Sequence, residues 1–406
     1  MREVNKKPEL VSAAGNWCSL HSVVESGADG VYFGVKDINM RHLATNFDVL
    51  EIKKVMRFLR EHKRKGYLAL NVIVFDKELE KVKNILTQAK KAGVDGVILW
   101  DAAVLSLAKE LGLKIHLSTQ SSVSNFEALK FYASIGVSRI VLARECGLDD
   151  IKSIVKKIKK EKIKCEIETF VHGAMCVSIS GRCFLSELTF SKSANRGKCL
   201  QPCRREYLIT DNRDDCQYVV GKDYLLSPKD LCAIDFVDEL IKAGISAFKI
   251  EGRIRSPEYL KVVTSSYRKA IDAYFDGKLD GNLKRQLKDE IKKVYNRGLS
   301  DGFYFGQPKD AISRELENKY EKAFVGDIGK VYKKIKVAEV LIKDESLKVG
   351  DEVLIIGQHG PAQFAKVEEM QIHHQSIKRA VKGDKVGIKF PFVVKPKDKL
   401  FVWRRR

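Results

Sequence analysis

Between residue 8 and about residue 277 the chain alternates short β-rich runs with longer amphipathic segments eight times, and no other property limits its fold as strongly. Strands are expected at Glu9–Ala13, Gly30–Gly34, Tyr67–Val74, Gly96–Trp100, Lys114–Ser118, Arg139–Ala143, Lys164–Val171 and Ala247–Ile250. Segments such as VLEIKKVMRFLREHKRKG, KELEKVKNILTQAKKAG and LDDIKSIVKKIKKEK carry apolar residues at helical spacing. Gly66, Gly93 and Gly136 stand just before the next strand, where a left-handed helix C-cap is expected. The expected class is α/β: a (β/α)8 TIM-like barrel, with a doubly wound open sheet as the alternative.

The seventh unit breaks the pattern. After Lys164–Val171, roughly sixty residues pass before the next expected helix, Pro228–Ala243. This cysteine-rich insertion after strand 7, about 172–227, falls at the C-terminal mouth of a barrel strand, where such barrels place their chemistry. Helices are expected over 256–276 and 281–296, and near Phe324 the pattern becomes short alternating strands with Gly-Asp turns at 326–327, 350–351 and 383–384. The chain therefore divides into a catalytic domain, 1–323, and a small C-terminal antiparallel β-barrel, 324–406.

No stretch approaches the ~20 apolar residues of a membrane span, and the opening MREVNKKPELV lacks the apolar core of a secretory signal. A cytoplasmic protein with no membrane partner is expected, in a compartment where nine cysteines suit metal binding or reactive thiols better than disulfides. Lys+Arg 74 against Asp+Glu 53 leaves a net charge of +21, which favours a polyanionic partner such as RNA; a lysine-rich solvated surface is the plainer explanation.

The insertion spaces its cysteines as Cys176-x6-Cys183-x15-Cys199-x3-Cys203. Four thiolates from one region satisfy either a tetrahedral zinc or an iron–sulfur cluster. The wide spacing and the position at a catalytic mouth favour the cluster over a structural zinc. Cys232, in SPKDLCAI at the start of an expected helix, competes with Cys203 as fourth ligand. Cys18, Cys146, Cys165 and Cys216 lack a partner at ligand spacing.

The stretch ETFVHGAMCVSISGRCFLS, with Glu168, Phe170, Gly173, Cys176, Gly181, Cys183 and Ser186, resembles the signature of the collagenase-like peptidase family of unknown catalytic type, U32. The likeness extends through NRGKCLQPCRREY, LLSPKDL, FKIEGRIRSPEY and the opening PELVSAAG. It implies two activities. Some members carry a peptidase or collagenase label; others are oxygen-independent hydroxylases of the tRNA wobble uridine, of a ribosomal RNA cytidine, or of a quinone precursor. The hydroxylases are similar in holding a [4Fe–4S] cluster on four cysteines, here Cys176, Cys183, Cys199 and Cys203, and the RNA branches use prephenate as co-substrate. In the quinone branch the last cysteine of the Cys-x3-Cys pair is replaced by a later one; the intact Cys199–Cys203 pair implies the RNA branches. The C-terminal barrel is similar to the second domain of translational elongation factors. The likeness also leaves room for a homologous partner protein.

The expected activity is thus 5-hydroxyuridine formation at the tRNA wobble position, with ribosomal RNA cytidine hydroxylation and a collagenase-like peptidase as alternatives. His-Glu-x-x-His and Gly-x-Ser-x-Gly motifs are absent from the sequence. Glu168 and His172 are candidates for acid–base work, with a packed histidine as the plainer role for His172. Candidates to hold a base at the strand ends are Arg41, Asn71, Gln120, Arg144, Glu145, Lys249, Glu251 and Arg253. Charges along Lys249–Arg253 point to a polar pocket, lined by Glu251 and by Arg253 as a carboxylate or phosphate fork; a structural ion pair with Glu168 is the alternative.

Overall fold

A computed structural model describes residues 6–406 except 37, 43, 206, 212–215, 221–227, 307–317 and 359; the side chains of 208–211 and 216–220, Cys216 among them, also lie outside the description. The first seven strands are β1 (Glu9–Ala14), β2 (Gly30–Gly34), β3 (Lys65–Ala69), β4 (Gly96–Leu99), β5 (Ile115–Leu117), β6 (Val137–Val141) and β7 (Glu166–Gly173). A hairpin, β8 (Tyr207–Asp211) and β9 (Cys216–Val220), and a short strand, β10 (Asp230–Cys232), separate them from β11 (Ala247–Ile250). Strands β1 to β7 pair in parallel order, and β11 pairs in parallel with both β1 and β7, closing the barrel. The open-sheet alternative is thereby excluded.

The helices α1 (Trp17–Glu25), α2 (Ile52–Glu61), α3 (Leu79–Ala92), α4 (Ala102–Glu110), α5 (Phe126–Ser134) and α6 (Leu148–Glu161) follow the first six strands. In α2 the buried residues are Ile52, Val55, Met56 and Leu59, the i, i+3, i+4, i+7 stripe that covers a sheet. Gly93 caps α3 with φ +68. Gly66 does not cap α2: it lies inside β3, and Lys63 takes the left-handed conformation before it.

Two expectations around the insertion need correction. Strand three ends at Ala69 rather than Val74, freeing Asn71 to turn over the mouth. The expected helix Pro228–Ala243 begins only at Ile234, with a 3-10 turn over Ile234–Phe236. Asp230–Cys232 instead forms β10, antiparallel to the end of β7 through Leu231↔Gly173 and Cys232↔His172. After the insertion's own short helix, α7 (Leu185–Phe190), the next helix is α8 (Val237–Lys242), followed beyond β11 by α9 (Pro257–Phe275) and α10 (Gly281–Lys293). A two-residue strand, β12 (Leu299–Ser300), lies parallel to β10.

The remaining strands begin with β13 (Tyr320–Tyr332), which crosses the expected boundary at 323/324. Eight strands of this region form an antiparallel sheet around a separate apolar core that includes Val325, Val340, Val353, Met370 and Val386. This sheet is seated on the barrel. Leu354, Ala362 and Trp403 join the barrel's core cluster, Ala362 N donates to Ser22 Oγ at 2.9 Å, and Lys322 pairs with Glu258 at 2.7 Å. No described helix is long and apolar enough to cross a membrane.

Candidate active site

A cavity of about 360 Å³ opens at the C-terminal mouth of the barrel. One wall carries Cys176, Cys183, Cys199 and Cys203; the floor and opposite wall carry Tyr32, Asn71, Gln120, Lys249, Glu251 and Arg253. All eight residues expected at the strand ends (Arg41, Asn71, Gln120, Arg144, Glu145, Lys249, Glu251 and Arg253) line it. Val177, Ile179 and Ile254 are exposed apolar residues on its lining.

The cysteine wall is shaped by backbone geometry and polar clamps more than by apolar packing. Gly173, at φ +113, turns the chain out of β7 where a Cβ would meet the Glu251 carbonyl oxygen at 2.7 Å. Gly197, at φ +80, lets the insertion approach the loop after β2, where a Cβ would stand 2.0 Å from Asn39 O; its own carbonyl accepts from His42 N at 3.1 Å. Asn195 Oδ1 accepts from Cys183 N (3.0 Å), and Ser186 Oγ accepts from Leu200 N (3.0 Å). Arg196 pairs with Glu78, and Arg204 donates to Met175 O (2.6 Å) and Pro228 O (2.9 Å).

All four thiols are free; Cys176 is exposed and the other three half-buried. Burial pushes the Cys203 thiol up against the pull of Arg204, and the neighbouring Cys176, Cys199 and Cys183 each add to that rise. Backbone N–H groups of Ser178 and Leu185 point at Cys176 Sγ and Cys183 Sγ, both at 3.4 Å. Among the described residues, no group of three or more His, Cys, Asp or Glu side chains is arranged to hold a metal ion. A cubane cluster does not require one, because each iron takes a single protein thiolate and completes its shell with the cluster's own sulfides. Four free thiols line one cavity, two of them under N–H donors, and they are the residues that would hold such a cluster. Cys232 is elsewhere: it is buried behind β7 beside the Tyr267 hydroxyl, its thiol pushed up to about 11 by desolvation, and it is not part of the cavity wall.

The opposite wall is strongly cationic. Glu251 accepts from Arg41 Nε at 3.1 Å and lies 4.0 Å from Arg144. Burial alone would raise its carboxyl, yet Arg41, Arg144 and Arg253 together hold it at about 2. Arg144 stacks on Phe170 with its guanidinium 4.0 Å from the ring centroid and donates to Ala174 O at 2.5 Å. Arg253 donates to Asn39 Oδ1 at 2.9 Å, but its buried Nε has no partner, and desolvation draws the group down to about 10. The sequence reading did not single out Tyr32, Arg204, Arg255 or Arg297. Arg255 and Arg297 also line the cavity and share the buried carboxylate of Asp230, at 3.5 and 2.5 Å. The signal for Tyr32 was the alternation along β2; for Arg204 and Arg255 it was their place within NRGKCLQPCRREY and FKIEGRIRSPEY, and for Arg297 there was none.

Glu168 and His172 do not line the cavity. Glu168 sits in the barrel interior, 2.5 Å from Lys249 Nζ and 3.2 Å from Arg139, so the ion pair between this run and Glu168 is made by Lys249 and not by Arg253. His172 faces outwards. The register of β7 on β11 skips one residue between Phe170 and His172, and the imidazole packs on Tyr259 and Tyr267 of α9, with Tyr267 Oη 3.4 Å from Nδ1.

Comparison with known proteins follows the same lines. The family model for Peptidase family U32 matches residues 15–314. An uncharacterized protease of Methanocaldococcus jannaschii is 41% identical over 402 residues, 97% of this chain and 98% of that one. A collagenase of Porphyromonas gingivalis is 36% identical over 411 residues, 98% of each chain. The tRNA hydroxylation protein P1 of Bacillus subtilis is 34% identical over 364 residues, 88% of this chain and 85% of that one.

Proposed function

The chain belongs to peptidase family U32, and on that premise we propose that it is an iron–sulfur RNA hydroxylase, working without molecular oxygen and forming 5-hydroxyuridine at the tRNA wobble position. The observation that carries this reading is the cavity with four free thiols on one wall and an arginine–glutamate network on the other. Cys176, Cys183, Cys199 and Cys203 would hold a [4Fe–4S] cluster, which supplies one-electron redox chemistry when bound.

The chain's own residues bind and orient. Arg253, a guanidinium on the cavity lining held by Asn39 Oδ1, is the anchor for a carboxylate of the prephenate co-substrate. Arg41 and Arg144 fix the Glu251 carboxylate in its ionised form, so the charge pattern at the mouth does not change near neutral pH. Val177, Ile179 and Ile254 offer apolar contact to a base turned out of its stack and keep water from its edges. The +21 charge supports attraction of an RNA backbone.

Peptide hydrolysis is the second reading, favoured by the names of two relatives. It requires an activated nucleophile or a metal-bound water, and no described histidine lines the cavity to serve as base. Nucleoside mass spectrometry of total RNA from cells with and without the gene tests the proposal. Loss of 5-hydroxyuridine-type nucleosides from tRNA is expected. Unchanged tRNA with altered ribosomal RNA would move the substrate to the ribosome, and gelatin cleavage with all RNA unchanged would replace the proposal with the peptidase.

A further inference from the structure

Gln120 lies on the cavity floor, nine-tenths buried, and the direction of its amide is fixed from the backbone outwards. The Met40 N–H can only donate, and it faces Asn71 Oδ1 at 3.4 Å. That turns Asn71 Nδ2 towards Ser118 Oγ at 3.4 Å and Gln120 Oε1 at 3.3 Å. The Ser118 hydroxyl donates to the same Gln120 oxygen. With its oxygen taken by two donors, the amide keeps two N–H bonds, and no described residue accepts them.

The floor around it also donates. Lys249 Nζ hangs 4.5 Å above the Tyr32 ring with one bond committed to Glu168, and Arg253 Nε has no partner. The nearby carboxylate, Glu251, is already engaged by Arg41. Gln120 therefore presents a donor to whatever enters the cavity, while Glu145 and the Glu251 oxygen that Arg41 does not engage are acceptors elsewhere on the lining.

We propose that Gln120 selects uracil over cytosine at this site. The inference rests on the reading of the cavity as a pyrimidine site in RNA. Uracil carries a carbonyl oxygen on the edge where cytosine carries an amino group. The fixed Nε2 of Gln120 pairs with the first and would oppose the second donor to donor, leaving both desolvated and unpaired.

Purified full-length protein is titrated, by fluorescence anisotropy, with two RNA stem-loops that differ only in a uridine or cytidine at one unpaired loop position. The wild type is expected to prefer the uridine RNA by about 10- to 100-fold. Gln120→Met, similar in shape but without the donors, should bring the ratio close to one. Gln120→Glu offers an acceptor to the cytosine amino group and should reverse it. Thermal melting of both variants close to that of the wild type confirms that they fold. A wild type that prefers uridine while Gln120→Met keeps the full preference overturns the role of Gln120 and leaves the RNA reading standing. A wild type that binds neither RNA overturns the RNA reading, and this inference with it.

Discussion

Lys249 Nζ and Glu168 Oε1 stand 2.5 Å apart inside the barrel, and neither residue is more than 4% exposed. Arg139 closes the group from the other side at 3.2 Å and reaches Glu9 at 3.0 Å and Glu166 at 2.6 Å. Burial opposes ionisation of Glu168, but the two cations prevail and hold its carboxyl below the ordinary value. Glu168→Gln leaves Lys249 without its ion-pair partner in low dielectric, while Arg139 keeps Glu9 and Glu166, and should cost about 3–5 kcal/mol of stability by chemical denaturation. Adding Lys249→Met should recover part of it. A single variant as stable as the wild type would refute the structural role.

Desolvation draws the His172 imidazole down to about 4 from its ordinary 6.5. The unfolded chain therefore takes up this proton first. The stability tied to His172 is whole above 6.5 and is lost as the pH falls towards 4, to a total of about 3 kcal/mol. His172→Asn should flatten the acid limb of a Tm-against-pH curve between those values. His116, also buried and lowered, remains in both proteins, so the difference reports His172 alone. Equal slopes would show that the imidazole is protonated normally in the fold.

Cys203 and Cys232 give a paired prediction. After anaerobic reconstitution with iron and sulfide, Cys232→Ser should keep the broad visible absorption and iron content of the wild type. Cys203→Ser should lose most of both. The reverse pattern would require β10 to leave β7, since Cys232 is paired with His172 and packed beside Tyr267.

Arg253→Met removes the cavity-lining guanidinium proposed to anchor prephenate. Calorimetric titration should show binding weakened by ~10-fold or more, the scale of one buried charge-assisted hydrogen bond. Arg253→Lys should restore little, because an ammonium lacks the planar fork. Unaltered affinity in Arg253→Met would place the co-substrate elsewhere.

What the sequence made legible follows from periodicity. Eight alternations located every barrel strand to within a few residues, since a buried parallel strand and an amphipathic helix each leave a period in the apolar pattern. The cavity residues Asn71, Gln120, Arg144, Glu251 and Arg253 were found because barrel chemistry gathers at strand ends. The errors arose where tertiary pairing overrode local pattern. Pro228–Ala243 has helical composition, yet Asp230 is held by Arg297 and Arg255, and Cys232 is laddered to His172. Glu168 and His172 share one parity along their strand, so both were expected at the site; a skip of one residue in the pairing is invisible to alternation.

That skip means the length of β7 matters as much as its composition. Phe170 and His172 are two positions apart, yet one lines the cavity and the other packs on an outer helix. Val171 is the residue the pairing skips, so adding one more residue beside it would carry the imidazole inwards to face Glu251 and move Gly173, with the cysteine wall behind it, off its footing. The strand acts as a spacer whose register sets how far the thiols stand from the floor, so an insertion there would disable the centre without changing the identity of any residue in it.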